Sequence, residues 1–266
     1  AADSAQGGFW LTLPWQDFHA NFITAWGRAA TPEAQFRLIE WCRKNRFPEG
    51  AEFILRHLLK NQGWEPSNPL YRRAIKQWIP CQRRRRAGLV MGLPVGGEWF
   101  VVKDLTKHHQ GKDWAAFAVD LVIKRNNKPF HDDPAVLENH YAYDQPVLAV
   151  ADGVVAKVVD NHPDTPIGEP RTAPENLIII AHAQGVSSVY AHLGEGTACV
   201  KPGDQVHQGD KIGRVGNSGA SGIPHLHFDI YDQDYLSLPG RFRFESRVAA
   251  NWTRHQDAPL AENTYI

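Results

Sequence analysis

From Leu89 to the end of the chain, glycine punctuates a series of short runs that alternate apolar with polar residues or are rich in β-branched and aromatic ones. They fall at about 99–102, 117–123, 146–150, 153–159, 177–180, 187–190, 211–215 and 224–230. No segment of helical length separates them, so consecutive strands have no helical crossover with which to pair in parallel. A doubly wound α/β fold is therefore disfavoured, and a mainly antiparallel β domain is expected. Two long irregular stretches interrupt it, at 124–144 and 161–175, and loops of that length are commonly functional. They are expected to wall a site.

The first part of the chain has a different period. Thr31-Pro32-Glu33 reads as a helix start, with an N-cap hydroxyl followed by proline in the first turn. Phe36, Ile39 and Cys42 then recur at helical spacing between charged residues. Pro48 opens a second helix carrying Phe53, Ile54, Leu58 and Leu59, which Gly63 closes. A third runs from about Pro69 to Trp78 with Leu70, Ala74, Ile75 and Trp78 inward, and Phe18, Phe22 and Trp26 suggest one before them all. Arg83 to Arg86 form a charged run that reads as a solvated linker, with anion binding as the alternative. The expected fold class is α+β, with a helical N-terminal domain and linker over 1–86 and a mainly antiparallel β domain over 87–266.

The 266 residues suffice for two such domains. Charge is balanced, 29 basic against 29 acidic side chains, which argues against nucleic acid or an anionic membrane surface as partner. No apolar run is long enough to span a bilayer. The chain starts at Ala1 without a charged and apolar signal segment, as a processed secretory terminus or a trimmed chain would. Three cysteines do not make a disulfide framework. Cys42 and Cys81 can pair if the N-terminal region folds as a helical bundle in an oxidising compartment, with buried free thiols as the equal alternative.

The chemistry lies in Pro224-His225-Leu226-His227-Phe228-Asp229-Ile230. In a strand His225 and His227 project to one face while Leu226 and Phe228 face the other. The preceding 216–222 run is glycine- and serine-rich, and two imidazoles delivered out of such a turn suit zinc. Tyr190-Ala191-His192-Leu193 adds a histidine at a strand end, with Tyr190 and His192 expected on a shared face. Upstream, Lys107-His108-His109-Gln110-Gly111-Lys112-Asp113 and Ala118-Val119-Asp120-Leu121 offer a loop histidine and a carboxylate. Together these provide a mixed nitrogen and oxygen site with a position left for water, the pattern of a catalytic zinc. His182 reads as structural, and His131, His140, His162 and His207 as loop histidines.

In this order, and joined by Gln145 to Val155, Val200 to Val206, Gly209 to Gly213 and Gly216-Asn217-Ser218-Gly219, the motifs resemble the lysostaphin-type zinc metallopeptidases, which cut peptide cross-links in bacterial peptidoglycan. The resemblance spans roughly residues 95–232. It implies a duplicated-hybrid-motif-like β fold, with His109, Asp120 and His227 as ligands of one Zn2+ and His192 and His225 as catalytic residues beside the metal's water. Asp113 and His108 are rivals for the first two ligand positions; Asp120 is preferred because it lies within a strand, where a ligand is held rigidly. Asp229 and Tyr190 are candidate partners of the histidines. The implied function is a zinc metalloendopeptidase acting on peptidoglycan peptides in the periplasm or outside the cell. The alternatives are a non-enzymatic wall-binding or hydrolase-activating relative and a zinc peptidase with a protein substrate. The oligomeric state is not encoded in any of these features.

Overall fold

The computed structural model describes residues 15–65, 67–82, 88–102, 115–169, 172–248, 251–261 and 263–266. The chain divides into two compact units, Ala1–Cys81 and Gln82–Ile266. Among the described residues no helix is long and apolar enough to cross a membrane.

The first unit contains α1 (Trp15–Arg28), α2 (Pro32–Lys44), α3 (Pro48–Asn61) and α4 (Pro69–Gln82). Each later helix starts on a proline, whose missing N–H costs nothing in the first turn. Thr31 Oγ1 accepts from Ala34 N at 3.3 Å to cap α2, and Asn68 Oδ1 accepts from Leu70 N at 2.8 Å ahead of α4. Gly63, at φ 59°, ends α3 in the left-handed region that glycine reaches without strain. Phe36, Ile39, Cys42, Ile54, Leu55, Leu58, Ala74 and Trp78 are fully buried. Phe53 departs from expectation. It lies one position off the Ile54–Leu58 stripe and is half exposed, with its ring edge against Phe22 and Trp26. Cys42 is a buried free thiol whose pKa burial pushes up to about 12; the side chain of Cys81 and the 83–86 arginine run lie outside the described residues.

The second unit is built on a seven-stranded, wholly antiparallel sheet in the order β2-β3-β10-β7-β6-β5-β8. Its strands are β2 (Phe100–Val102), β3 (Val119–Val122), β5 (Gly153–Val159), β6 (Leu177–Ala181), β7 (Ser187–Ala191), β8 (Gln205–Val206) and β10 (Leu226–Tyr231). A two-stranded antiparallel sheet joins β4 (Pro146–Leu148) to β9 (Lys211–Arg214), and β1 (Val90–Met91) runs parallel to β11 (Arg241–Val248), which pairs with β12 (Asn251–Ala258). The α+β class is thus as expected. Leu226, Phe228 and Ile230 enter an apolar core with Tyr190, Ile178, Val147 and Ile212. Unlike a half-exposed strand, β10 is buried on both faces along nearly all its length. Its second face carries His227 and Asp229.

The two long irregular stretches are latched to the 216–222 turn. Tyr143 Oη donates to Asp164 Oδ2 at 2.9 Å, Asn217 N donates to Asp164 Oδ1 at 2.6 Å, and Thr165 Oγ1 donates to the Gly219 carbonyl at 3.0 Å. Gly216 permits this closeness, because a Cβ there would stand 2.5 Å from Asp164 Oδ1 and 2.4 Å from the backbone of Gly194. The end of the second stretch is fastened by Asn176, which is fully buried. Its Oδ1 accepts from His162 N at 2.9 Å, and its Nδ2 donates to the carbonyls of His162 at 2.7 Å and Leu193 at 3.1 Å. Asn176→Ala strands these backbone groups, so it is expected to destabilise the protein by about 2 kcal/mol or more, seen as a lower urea midpoint. An unchanged midpoint means that water replaces the amide at no cost.

Candidate metal and catalytic site

The site forms where β3, β10 and the end of β7 lie side by side. His227 is the cross-strand neighbour of Asp120 on one side and of Ala191 on the other. Directly opposed residues on one face of an antiparallel pair bring their side chains into contact. Asp120 Oδ1 accordingly lies 3.0 Å from His227 Nδ1, and His225, two residues before His227, brings its Nε2 to 3.4 Å from the same oxygen. Both histidines and Asp120 are buried.

His192 arrives by a different route. It follows the last residue of β7 and adopts φ 62°, a left-handed conformation that costs a non-glycine residue of order 1 kcal/mol. The turn removes it from the face it was expected to share with Tyr190. Tyr190 remains in the core, its ring 5.3 Å from Phe228 and its hydroxyl bonded to Val150 N and Ser188 Oγ, so it supports none of the site histidines. The His192 ring instead lies 4.8 Å from that of His225 and 5.8 Å from that of His227.

Backbone carbonyls orient the imidazoles. His192 Nδ1 donates to the Ser218 carbonyl at 2.8 Å. His225 Nδ1 donates to the Ile223 carbonyl at 2.8 Å and approaches Ser221 Oγ at 3.1 Å. With its Nδ1 hydrogen so engaged, His192 keeps Nε2 as its basic nitrogen, whereas His225 Nε2 faces the Asp120 oxygen and donates to it when protonated. Burial, reinforced by the neighbouring imidazoles, holds His192 well below the usual imidazole range, and the ring is neutral near pH 7. Burial works against ionisation of Asp120 too, but hydrogen bonding and charge from His225 and His227 outweigh it and hold that carboxyl well below the usual carboxylate range.

The structure thus brings together Asp120, His192, His225 and His227. His109, the remaining expected ligand, and its rival His108 lie outside the described residues, as does Asp113. Asp229 shares the strand but bonds to Ser237 Oγ at 2.9 Å rather than to a histidine, and burial pushes its carboxyl well above the usual carboxylate range. His182 bonds to the Asp152 carbonyl and to Ser188 Oγ, within the fold. Ser218 and Ser221 lie in the turn that the sequence marks and Ile223 just after it, but their part in holding the histidines is not marked by any motif. Two act through backbone carbonyls, and a carbonyl leaves no mark in residue type.

The donor set fits zinc. Donors at about 2.0–2.1 Å from one tetrahedral ion stand about 3.3 Å apart, and the Asp120 oxygen lies 3.0 Å from His227 Nδ1, close to that spacing. Among the described residues alone no complete three-ligand group is present.

Residues 137–238 match the family model described as Peptidase family M23. That range contains His192, His225 and His227, while Asp120 precedes it. Over 85 residues the chain is 36% identical to the cell division protein DipM of Caulobacter vibrioides, covering 32% of this chain and 12% of that protein. It is 34% identical over 85 residues to the peptidoglycan DD-endopeptidase ShyA of Vibrio cholerae, covering 32% of this chain and 17% of that one. The similarity thus spans less than a fifth of either relative. The catalytic domain of the antimicrobial peptidase lysostaphin from Staphylococcus simulans superposes with a TM-score of 0.32 at 21% identity, over 60% of this chain and 90% of that one.

Proposed function

We propose that this chain, which carries a domain of peptidase family M23 at residues 137–238, is a zinc metalloendopeptidase hydrolysing peptide bonds in bacterial peptidoglycan stem peptides or cross-bridges, outside the cytoplasm. The observation that carries this reading is the convergence of Asp120, His192, His225 and His227 on one buried spot from three separate parts of the chain. A non-enzymatic relative has no need to retain these groups together. A relative whose name specifies a peptidoglycan DD-endopeptidase supports the substrate class.

In this reading Asp120 and His227 hold the metal together with His109. Zinc, when bound, lowers the pKa of water to about 7 and polarises a carbonyl. His192 and His225 carry the proton traffic. His192 is fixed with its hydrogen on Nδ1, so it presents Nε2 as acceptor, and its neutrality leaves it able to take the proton of the attacking water. Once protonated, the same Nε2–H donates, first to the developing oxyanion and then to the leaving amine. Neither step uses a serine, cysteine or glutamate.

Zinc analysis of the purified protein beside hydrolysis of isolated peptidoglycan tests the proposal. The expected result is about one zinc per chain and release of new amino groups that a chelator stops. Asp120→Ala is expected to lose the metal, whereas Asp113→Ala keeps it. Zinc without peptidoglycan cleavage removes the substrate assignment, and a zinc-free protein with no affinity for added zinc removes the enzyme.

A further inference from the structure

We propose that Glu175 selects substrates that carry an ammonium group beside the scissile bond, an inference that rests on the peptidase reading above. Glu175 stands at the edge of the reaction centre. Its Oε2 lies 3.5 Å from His192 Nδ1, and its side chain is 41% exposed where that of His192 is 9% exposed. The carboxylate therefore borders both the buried histidines and the solvent from which a peptide arrives.

Its position is fixed by its neighbours. The next residue, Asn176, ties this part of the chain to His162 and Leu193, and its backbone N donates to Ser218 Oγ at 3.0 Å. On the other side Gly219, at φ 77°, packs so closely that a Cβ there would stand 2.9 Å from Glu175 Cα. These contacts hold the main chain that carries the carboxylate, so binding has little backbone freedom left to remove.

Among the described residues no lysine or arginine pairs with the Glu175 carboxylate. Among the described residues its ion-pair contact is with His192, whose Nδ1 hydrogen is directed to the Ser218 carbonyl at the shorter distance of 2.8 Å. Asp164, earlier in the same stretch, accepts from Tyr143 Oη and Asn217 N, both neutral donors, and among the described residues it pairs with no cation. This wall of the site thus presents negative charge at a partly desolvated edge, where an ammonium gains most from it and an acylated amine gains little. The amine of a diamino acid side chain and a free peptide N-terminus both provide that chemistry.

The test uses the full chain, zinc-loaded, and stem-type peptides in matched pairs: one pair with a lysine amine free or acetylated, the other with the N-terminus free or acetylated. Wild type is expected to favour the cationic member of one pair roughly tenfold in kcat/KM, the pair identifying which amine is read. In E175Q that ratio is expected to fall to near unity. A ratio unchanged in E175Q overturns the proposal, and so does an equal fall on both members, which instead makes Glu175 a positioning residue for His192. If wild type cleaves none of the peptides, the peptidase reading fails separately. Equilibrium binding of the same pairs then decides: a cationic preference present in wild type and lost in E175Q sustains the proposal, and its absence from wild type ends it.

Discussion

His227→Ala is expected to remove bound zinc and, with it, all measurable hydrolysis. His227 sits in β10, buried on both faces, with Nδ1 3.0 Å from Asp120 Oδ1. A catalytic zinc site has three protein ligands and no spare. Changing even a group that only supports a ligand typically lowers metal affinity 10- to 100-fold, so deleting a ligand is expected to cost more than roughly 100-fold. Two measurements read this without reference to activity. After dialysis against buffer the variant should hold far less zinc than wild type. Added zinc should raise the melting temperature of wild type, since a ligand at about 100 times its Kd stabilises by about 2.7 kcal/mol, and should leave the variant unmoved. Retention of about one zinc per chain by a folded His227→Ala protein takes this residue out of the metal site.

His227 is legible in the sequence and Ser218 is not, because residue type and spacing are written there while the path of a carbonyl is not. A strand's two-residue period fixes which side chains share a face, so His225 and His227 separate from Leu226 and Phe228 on spacing alone. Asp120 is legible for the same reason, since Ala118-Val119-Asp120-Leu121 reads as a strand and that strand pairs with β10. The register that sets Asp120 opposite His227 is a long-range fact, contributed by residues more than a hundred positions apart. Tyr190 and His192 show the rule failing. The period assigns them one face, but the chain leaves the strand at His192 with φ 62° and sends the imidazole to the other side. Nothing in Tyr-Ala-His-Leu announces a left-handed histidine.

The helices are legible because apolar spacing agrees with proline starts at α2, α3 and α4 and with a glycine stop at α3, the consistency between local and global preference that makes a segment readable. The C-terminal hairpin is not. β11 does alternate, with Phe242 and Phe244 buried between arginines, but β12 reads Asn-Trp-Thr-Arg-His-Gln-Asp-Ala and is exposed over almost all its length. An edge strand with no buried face has no apolar period to display. Glu175 escapes for another reason. It is an ordinary acidic residue at the end of a long loop, and only its 3.5 Å approach to His192 distinguishes it.

His192→Ala separates chemistry from metal binding. The ring lies beside the other site histidines, at 4.8 and 5.8 Å between centroids, but its hydrogen bond goes to the Ser218 carbonyl rather than to Asp120. Removing it leaves the Asp120–His227 pair intact, so zinc content and the zinc-dependent rise in melting temperature are expected to match wild type. Activity is another matter, because a positioned general acid–base contributes about 10²–10⁴-fold. That loss should appear in kcat with KM little changed, since the group acts on the proton in flight and not on the bound peptide. Stability offers a further check on the same residue. His192→Gly relieves the left-handed strain that alanine retains, so it is expected to be as inactive as His192→Ala in hydrolysis while unfolding at a urea midpoint no lower. Unchanged turnover in His192→Ala removes the histidine from the mechanism. Loss of zinc in both variants, with the fold retained, makes His192 a ligand and returns the proton transfer to His225 alone.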